Sequence, residues 1–325
     1  MARQLSIIMY HYVRDKEHAQ FPDIKGLTIS EFAGQVGYLK QHYQILSADD
    51  FFQILDSTKN LPSRAALLTF DDGYVDHFRN VLPVLLKEGL KGCFFIPAHP
   101  LLEQQVLDVN KIHFILAAVK NKEGLVTRIN QRITGSSSIW HLDSVESYWS
   151  RLAIASRFDP PEVIYIKRIL QRELPAGLRK EIITELFKEF VTKDERDFAR
   201  SLYMDQSMLQ ALQEEGMYLG SHGYDHVWLN QLSEREQVSE VEGSLNFLRS
   251  LEIDTKHWMM CYPHGGWNDS LLKVISDHGC QAALTTRIDV ADLDRDNPLT
   301  LPRLDTNDLP MKADAAASEW TRKVG

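Results

Sequence analysis

Two adjacent carboxylates, Asp71 and Asp72, follow the apolar run Ala65–Phe70 and precede Gly73. The run reads as a buried strand. Asp and Gly are poor strand formers, so the chain turns there. Neighbouring carboxylates repel unless a cation or a shared proton lies between them. A strand that delivers such a pair into the loop at its C-terminal end is how α/β folds present chemistry. Asp72 could instead serve only as the N-cap of a following helix, for which Asp is well suited. A second cluster, Gly220-Ser221-His222-Gly223-Tyr224-Asp225-His226, carries two imidazoles four residues apart. On a helical turn that spacing puts both rings on one face. Two imidazoles and one carboxylate make the three-ligand shell of a catalytic zinc, with a position open to water. In a chain with twelve histidines a lone pair at this spacing is weak; beside a strand end, in the same chain as Thr69-Phe70-Asp71-Asp72-Gly73, it becomes strong.

These motifs resemble those of the polysaccharide deacetylases, the carbohydrate esterase family four group with the NodB-homology domain. Thr69 to Gly73 matches the family's first motif, Thr-Phe-Asp-Asp-Gly. His222 to His226 matches the second, His-Ser/Thr-x-x-His, with Gly223 where Ser or Thr is usual. Tyr262-Pro263-His264-Gly265 matches the Tyr-Pro-x-Gly form of the third. The resemblance covers residues 3–100 and 201–305. It implies a distorted (β/α) barrel of the seven-stranded type and metal-dependent hydrolysis of the N-acetyl group of an amino sugar. It further implies Asp72, His222 and His226 as metal ligands, Asp71 as general base, and a backbone N–H near His264 as an oxyanion donor. Zinc is the divalent ion expected, although iron, cobalt and nickel also suit this donor set.

Two departures shape the rest of the site. The family's third motif often carries an Arg that orients the base, and Cys261 stands there instead. Arg303, in Leu301-Pro302-Arg303-Leu304-Asp305, could reach Asp71 from the last strand and hold it ionised. Alternatively it belongs to a surface ion pair worth about 0–1 kcal/mol. No Leu-x-His follows residue 285 to protonate the leaving amine. His11, at the end of the first strand, is the expected replacement, since an imidazole with a pKa of about 6.5 suits that step. A hydrogen-bonded structural histidine is the alternative. Tyr74 and Tyr262 are candidate sugar-facing aromatics, with Pro263 and His264 beside them, and each tyrosine could equally be core packing. Trp228 and Trp267 could line the mouth of the site, although each could equally be packing. Asn110, Lys111 and His113 could meet charged parts of a substrate.

The elements that must position these residues follow from periodicity. Strands are expected at residues 5–13, 45–46, 65–70, 92–97, 217–221, 258–262, 281–285 and 299–304. Helices are expected at 28–43, 47–55, 78–89, 206–216, 233–251 and 268–279, with capping boxes at Thr28/Glu31 and Ser233/Glu236. This alternation implies a parallel sheet, open or closed into a barrel. A barrel would gather the polar clusters on its C-terminal face. Residues 101–202 lack clear strands and read as a helical insertion between two halves of the catalytic barrel, 1–100 and 203–310, followed by a tail, 311–325, that frays.

Composition bounds the rest. Of 325 residues, 44% are hydrophobic and 25% charged, ordinary values for a soluble globular protein. The net charge of −9 argues against a nucleic-acid or anionic-membrane binder. Cys93, Cys261 and Cys280 are too scattered for a disulfide framework or a paired-cysteine zinc site. No leader-like N-terminus is visible, and no run approaches the about 18–20 apolar residues of a membrane span. The expectation is a cytoplasmic enzyme acting on an acetylated amino sugar, a nucleotide- or lipid-linked precursor of surface polysaccharide. One rival keeps the metal site and changes the bond, to a cyclic imide or a formamide. Another is a catalytically impaired glycan-binding component. The full set of Asp71, Asp72, His222 and His226 argues against it, and the missing Arg and His argue for it.

Overall fold

The computed structural model describes residues 3–324, in two compact units. The first comprises the chain up to Asp15, Gly26–Gln104, and the chain from Ala199 onward; the second comprises Lys16–Lys25 and Gln105–Phe198.

The first unit is built on strands β1 (Gln4–Tyr10), β2 (Val13–Arg14), β3 (Leu27–Thr28), β4 (Gln44–Leu46), β5 (Ala65–Asp71), β6 (Cys93–Ile96), β7 (Tyr218–Ser221), β8 (Trp258–Cys261), β9 (Cys280–Leu284), β10 (Ala291–Asp292) and β11 (Leu304–Asp305). Apart from the small β2–β3 pair, they form one curled sheet in the order β10-β1-β5-β6-β7-β8-β9, with β4 on β5 and β11 on β1. Every pairing in this sheet is parallel except β1 with β10. Strand-to-helix connections produce this pattern, because parallel neighbours need a crossover. The last segment returns the sheet on itself. Leu301 exchanges backbone bonds with Ala283 and Thr285 at 3.0 and 2.8 Å, and Leu304 and Asp305 pair with Ile8 and Met9. A continuous strand over 299–304 does not form. Pro298–Thr300 is a 3₁₀ turn, and Pro302, lacking an N–H, interrupts the ladder.

The strands are buried on both faces, as their unbroken apolar runs require. Leu5, Ile7, Leu67, Phe95, Met259 and Leu284 point inward, where Phe51 and Ile54 from the helix Ala48–Leu55 meet them. Ile8, Leu68, Phe94 and Met260 pack outward against the helical layer. Alternate residues share a face, so Ala65, Leu67, Thr69 and Asp71 form one inward row. The β5 carboxylate therefore sits at the top of the barrel interior.

Helices Ile29–His42 and Glu234–Ser250 begin at the expected capping boxes. The helix after β5 opens one residue earlier than its apolar spacing implies, at His77, as a π-turn that runs into Leu82–Glu88. The C-terminal segment is docked rather than frayed. Its Glu319–Lys323 helix buries Thr321, whose hydroxyl bonds to Tyr38 and Tyr43 at 2.7 and 2.9 Å. The Gln35 amide donates to the Leu309 carbonyl at 3.1 Å. These are contacts across more than 270 positions, which no local pattern reports.

The second unit is helical, with Asp108–Ala118, Lys122–Trp140, Val145–Leu152, Pro161–Arg168 and Ala176–Phe190 as its main segments. Residues 16–25, polar and loop-like in sequence, belong to it. Phe21 packs against Phe114 at 5.3 Å, and Lys25 pairs with Asp159.

Candidate active site

At the end of β5 the backbone enters the left-handed region, with φ 76° at Asp72 and 66° at Gly73. A non-glycine residue there costs about 1–2 kcal/mol. The turn separates two carboxylates that a continued strand would place on opposite faces, and each acquires its own partners. Neither caps a helix.

Asp72 meets the imidazoles. Its Oδ1 lies 3.2 Å from His222 Nε2 and 3.2 Å from His226 Nε2, and the two Nε2 atoms are 3.2 Å apart. All three residues are buried. His222 Nδ1–H donates to the Cys261 carbonyl at 2.8 Å, which leaves the Nε2 lone pair facing inward. Asp72 Oδ2 accepts a hydrogen bond from the Tyr74 hydroxyl, and Oδ1 accepts none. Three donor atoms with lone pairs converging in a buried site repel one another unless they share a cation or protons. An ion with tetrahedral ligands at about 2.0–2.1 Å spaces its donor atoms by about 3.3–3.4 Å, close to the observed triangle. Among the described residues this is the one His/Cys/Asp/Glu group with converging ligand atoms, and it fits a divalent metal.

The two histidines do not share a helical face. Residues 222–228 are irregular, with φ 75° at Gly223 and 54° at His226. The loop folds back because it is tied down from outside. Ala98 and His99 donate backbone bonds to the Gly223 and Tyr224 carbonyls at 3.3 and 3.0 Å. Glu240, on the helix Glu234–Ser250, accepts from the Tyr224 and Asp225 N–H groups at 3.0 and 3.1 Å. Burial is the main reason that the Glu240 carboxyl is pushed up to about 7. Glu240 gave no sign in sequence beyond being one of several acids on a charged helix.

Asp71 turns the other way, to Arg303. Nη1 and Nη2 donate to Asp71 Oδ1 and Oδ2 at 2.9 and 2.7 Å, Nε donates to the Thr285 carbonyl at 2.9 Å, and Nη1 also lies 3.1 Å from Cys261 Sγ. Arg303 is 1% exposed, so this is no surface pair. Burial opposes the charge on Asp71, but the guanidinium outweighs it and holds the carboxyl well below the usual range. The small side chain of Cys261 leaves the space that the guanidinium occupies.

His11 stands at the rim, its ring 41% exposed, with Nε2 3.9 Å from Asp71 Oδ2. That gap is too wide for a direct hydrogen bond. Its carbonyl accepts a 2.9 Å bond from His77 Nε2–H. His77 is buried, which pulls its pKa down to about 4 and keeps it a neutral donor. In sequence His77 carries one signal, a polar ring four positions after Gly73 of the carboxylate motif.

One wall is formed by His264, whose ring meets His226 edge-on at 4.8 Å and stacks on Trp228 at 4.8 Å. Pro263 is buried behind it, and Trp267 is exposed. Tyr74 and Tyr262 do not face a sugar. Both are fully buried, Tyr74 against Tyr12 and Asp72, Tyr262 with its hydroxyl on the Leu299 carbonyl at 2.7 Å. Each needs a polar partner for its hydroxyl, and each finds one inside the fold. Asn110, Lys111 and His113 lie in the helical unit. Asn110 is buried there, and the Lys111 ammonium is taken by Glu195 at 2.8 Å, so neither is available to a ligand's charge.

Known proteins place this geometry. Polysaccharide deacetylase is the family model that matches, over residues 58–132 and 186–283. The putative polysaccharide deacetylase YxkH of Bacillus subtilis (strain 168) is 29% identical over 113 residues, a match spanning 33% of this chain and only 38% of that protein. In fold, the chain is similar to the Streptococcus pyogenes deacetylase PplD, solved with acetate, at a TM-score of 0.57 and 15% identity over 94% of this chain and 93% of that one. It is likewise similar to the deacetylase domain of BpsB from Bordetella bronchiseptica, at 0.53 and 14% over 93% and 95%. With the paired carboxylates, the HxxxH loop and the curled barrel in one unit, the chain belongs to the polysaccharide deacetylase family.

Proposed function

We propose that this chain is a metal-dependent hydrolase that removes the N-acetyl group from an amino sugar of a glycan. The observation that carries the reading is the division of labour between adjacent carboxylates: Asp72 joins two imidazoles, and Asp71 is kept off them by Arg303. Asp72, His222 and His226 would hold the ion; zinc suits them, as do iron, cobalt and nickel. Such an ion lowers the pKa of a bound water toward about 7 and polarises the acetamido carbonyl.

The chain's own residues supply the rest. Asp71, ionised at neutral pH, accepts the proton of the attacking water. Arg303 fixes its plane and uses one lone-pair site of each oxygen, leaving the others for water. His11 Nε2, exposed and not bonded to Asp71, delivers a proton to the departing amine. The Pro263–Gly265 turn offers the His264 backbone N–H as an oxyanion donor, and the Trp228–His264 stack is the wall against which the sugar lies. Acetate, the molecule bound to PplD, is the acid product this reaction would release.

The test is acetate release from N-acetylated amino-sugar oligomers, with metal content measured alongside. Asp71→Asn should lower turnover about 10²–10⁴-fold while retaining the metal. Turnover that survives Asp71→Asn, or a purified chain that takes up no divalent ion, would end this assignment.

A further inference from the structure

The carboxylate of Asp72 has two oxygens, and either or both could bind a cation. Chelation through both would add a fourth protein donor and fill the position that water needs. The structure gives the two oxygens different partners. The Tyr74 hydroxyl donates to Oδ2, while Oδ1 is the atom facing both imidazoles. The Tyr74 ring is fully buried and has little room to move. Tyr12 stacks on it at 4.1 Å with a 19° interplanar angle, and Tyr203 lies parallel to it at 6.2 Å and 11°. The backbone is pinned as well, by the Met204 N–H on the Gly73 carbonyl at 2.9 Å and a bridge between Tyr74 and Tyr203. The left-handed turn at Asp72 and Gly73 brings residue 74 back over residue 72.

We propose that Tyr74 is a positioning residue for the metal: by occupying Asp72 Oδ2 it makes Asp72 a one-oxygen ligand and keeps a coordination position open for water. This rests on the metal reading above. Groups that orient a ligand commonly govern affinity as well, because a rotating carboxylate must be re-ordered each time the ion binds. The stack of Tyr12, Tyr74 and Tyr203 is then a rigid support for one hydroxyl, not a sugar platform.

The experiment uses the full chain, stripped and reloaded with cobalt(II). Affinity is measured by chelator competition, and coordination is read from visible absorption. Tyr74→Phe removes the hydroxyl and keeps the ring, so the stack persists and the thermal melt should remain cooperative. The expected result is affinity weaker by about 10- to 100-fold, with an absorption band altered in position and intensity as Oδ2 enters the shell. Both changes are required; unchanged affinity, or weaker affinity with the parental spectrum, overturns the proposal. Should Tyr74→Phe not fold, fluorotyrosine incorporation keeps the donor and strengthens it. Affinity and spectrum must then shift with the degree of fluorination, and constancy overturns the proposal equally. Wild-type chain that binds no cobalt would instead defeat the metal reading itself, a distinguishable failure.

Discussion

In the barrel unit six ionisable groups near the site are buried: Asp71, Asp72, His77, His222, His226 and Arg303 are all 8% exposed or less, while His11 stays at the rim. In the helical unit the main ion pairs lie on the surface, where Arg128 and Arg132 meet Glu185 and Glu189 along two helices. Its buried ammonium, Lys111, is matched by Glu195, and its buried carboxylate, Asp159, by Lys25 and Lys167. Burying charge is costly unless it is paired and hydrogen-bonded. The helical unit closes each such pair on itself. In the barrel unit Asp72, with two imidazoles, has no Lys or Arg partner among the described residues, and buried Glu240 is held by backbone N–H groups. The Asp72 group is the set whose ligand atoms converge as a metal ion would require.

The comparison can be broken at its most charged point. Arg303→Met leaves Asp71 buried without its guanidinium and should cost about 3–5 kcal/mol in chemical denaturation. A loss under 1 kcal/mol would mean that Asp71 had another counter-charge or stayed neutral. The double variant with Asp71→Asn should recover much of the deficit, since it removes both charges.

Glu240 offers a pH test. Its carboxyl is held up to about 7 against an ordinary 4.5. A raised carboxyl contributes stability fully below its unfolded value and loses it as pH rises through the folded one. Wild type should therefore lose up to about 2–3 kcal/mol relative to Glu240→Gln between pH 4.5 and 7, and little beyond. Parallel stability curves for the two proteins across that window would refute the assignment.

Gly223 tests the loop that the carboxyl restrains. At φ 75° an alanine is strained, and its Cβ would meet Pro263 at 3.2 Å. Gly223→Ala should cost about 1–2 kcal/mol and weaken metal uptake. Stability and uptake both equal to wild type would show a more yielding loop. At the small end, Arg128→Ala in the helical unit should change stability by less than about 1 kcal/mol, because the pair is solvent-screened. A larger effect, seen as a clear drop in melting temperature, would remove the contrast between the units.

Part of the site was legible because the chemistry is local in sequence. Thr69–Gly73 reads as a strand ending in carboxylates, and the two capping boxes announce their helices through side chains three residues apart. The HxxxH spacing marks the pair, but the helical turn it implies does not form. The rings converge through left-handed backbone at Gly223 and His226, not through a helical turn. Tyr74 and Tyr262 stay ambiguous in sequence because aromatic residues near a motif look alike whether they face a ligand or the core. Only burial separates the two cases.

What the residues determined alone was the order of strands and helices, the carboxylate pair, and the donor types, since these depend on apolar periodicity and on side-chain chemistry within a few positions. What the tertiary structure decided was which partner each group receives. Arg303 lies 232 positions from Asp71 and His222 lies 150 from Asp72 (222 − 72). The first pairing forms when the sheet curls until its last segment meets its first; the second forms because β7 lies two strands from β5 in the sheet. Burial then makes each pairing obligatory, because a charge withdrawn from water must find its counterpart inside the fold.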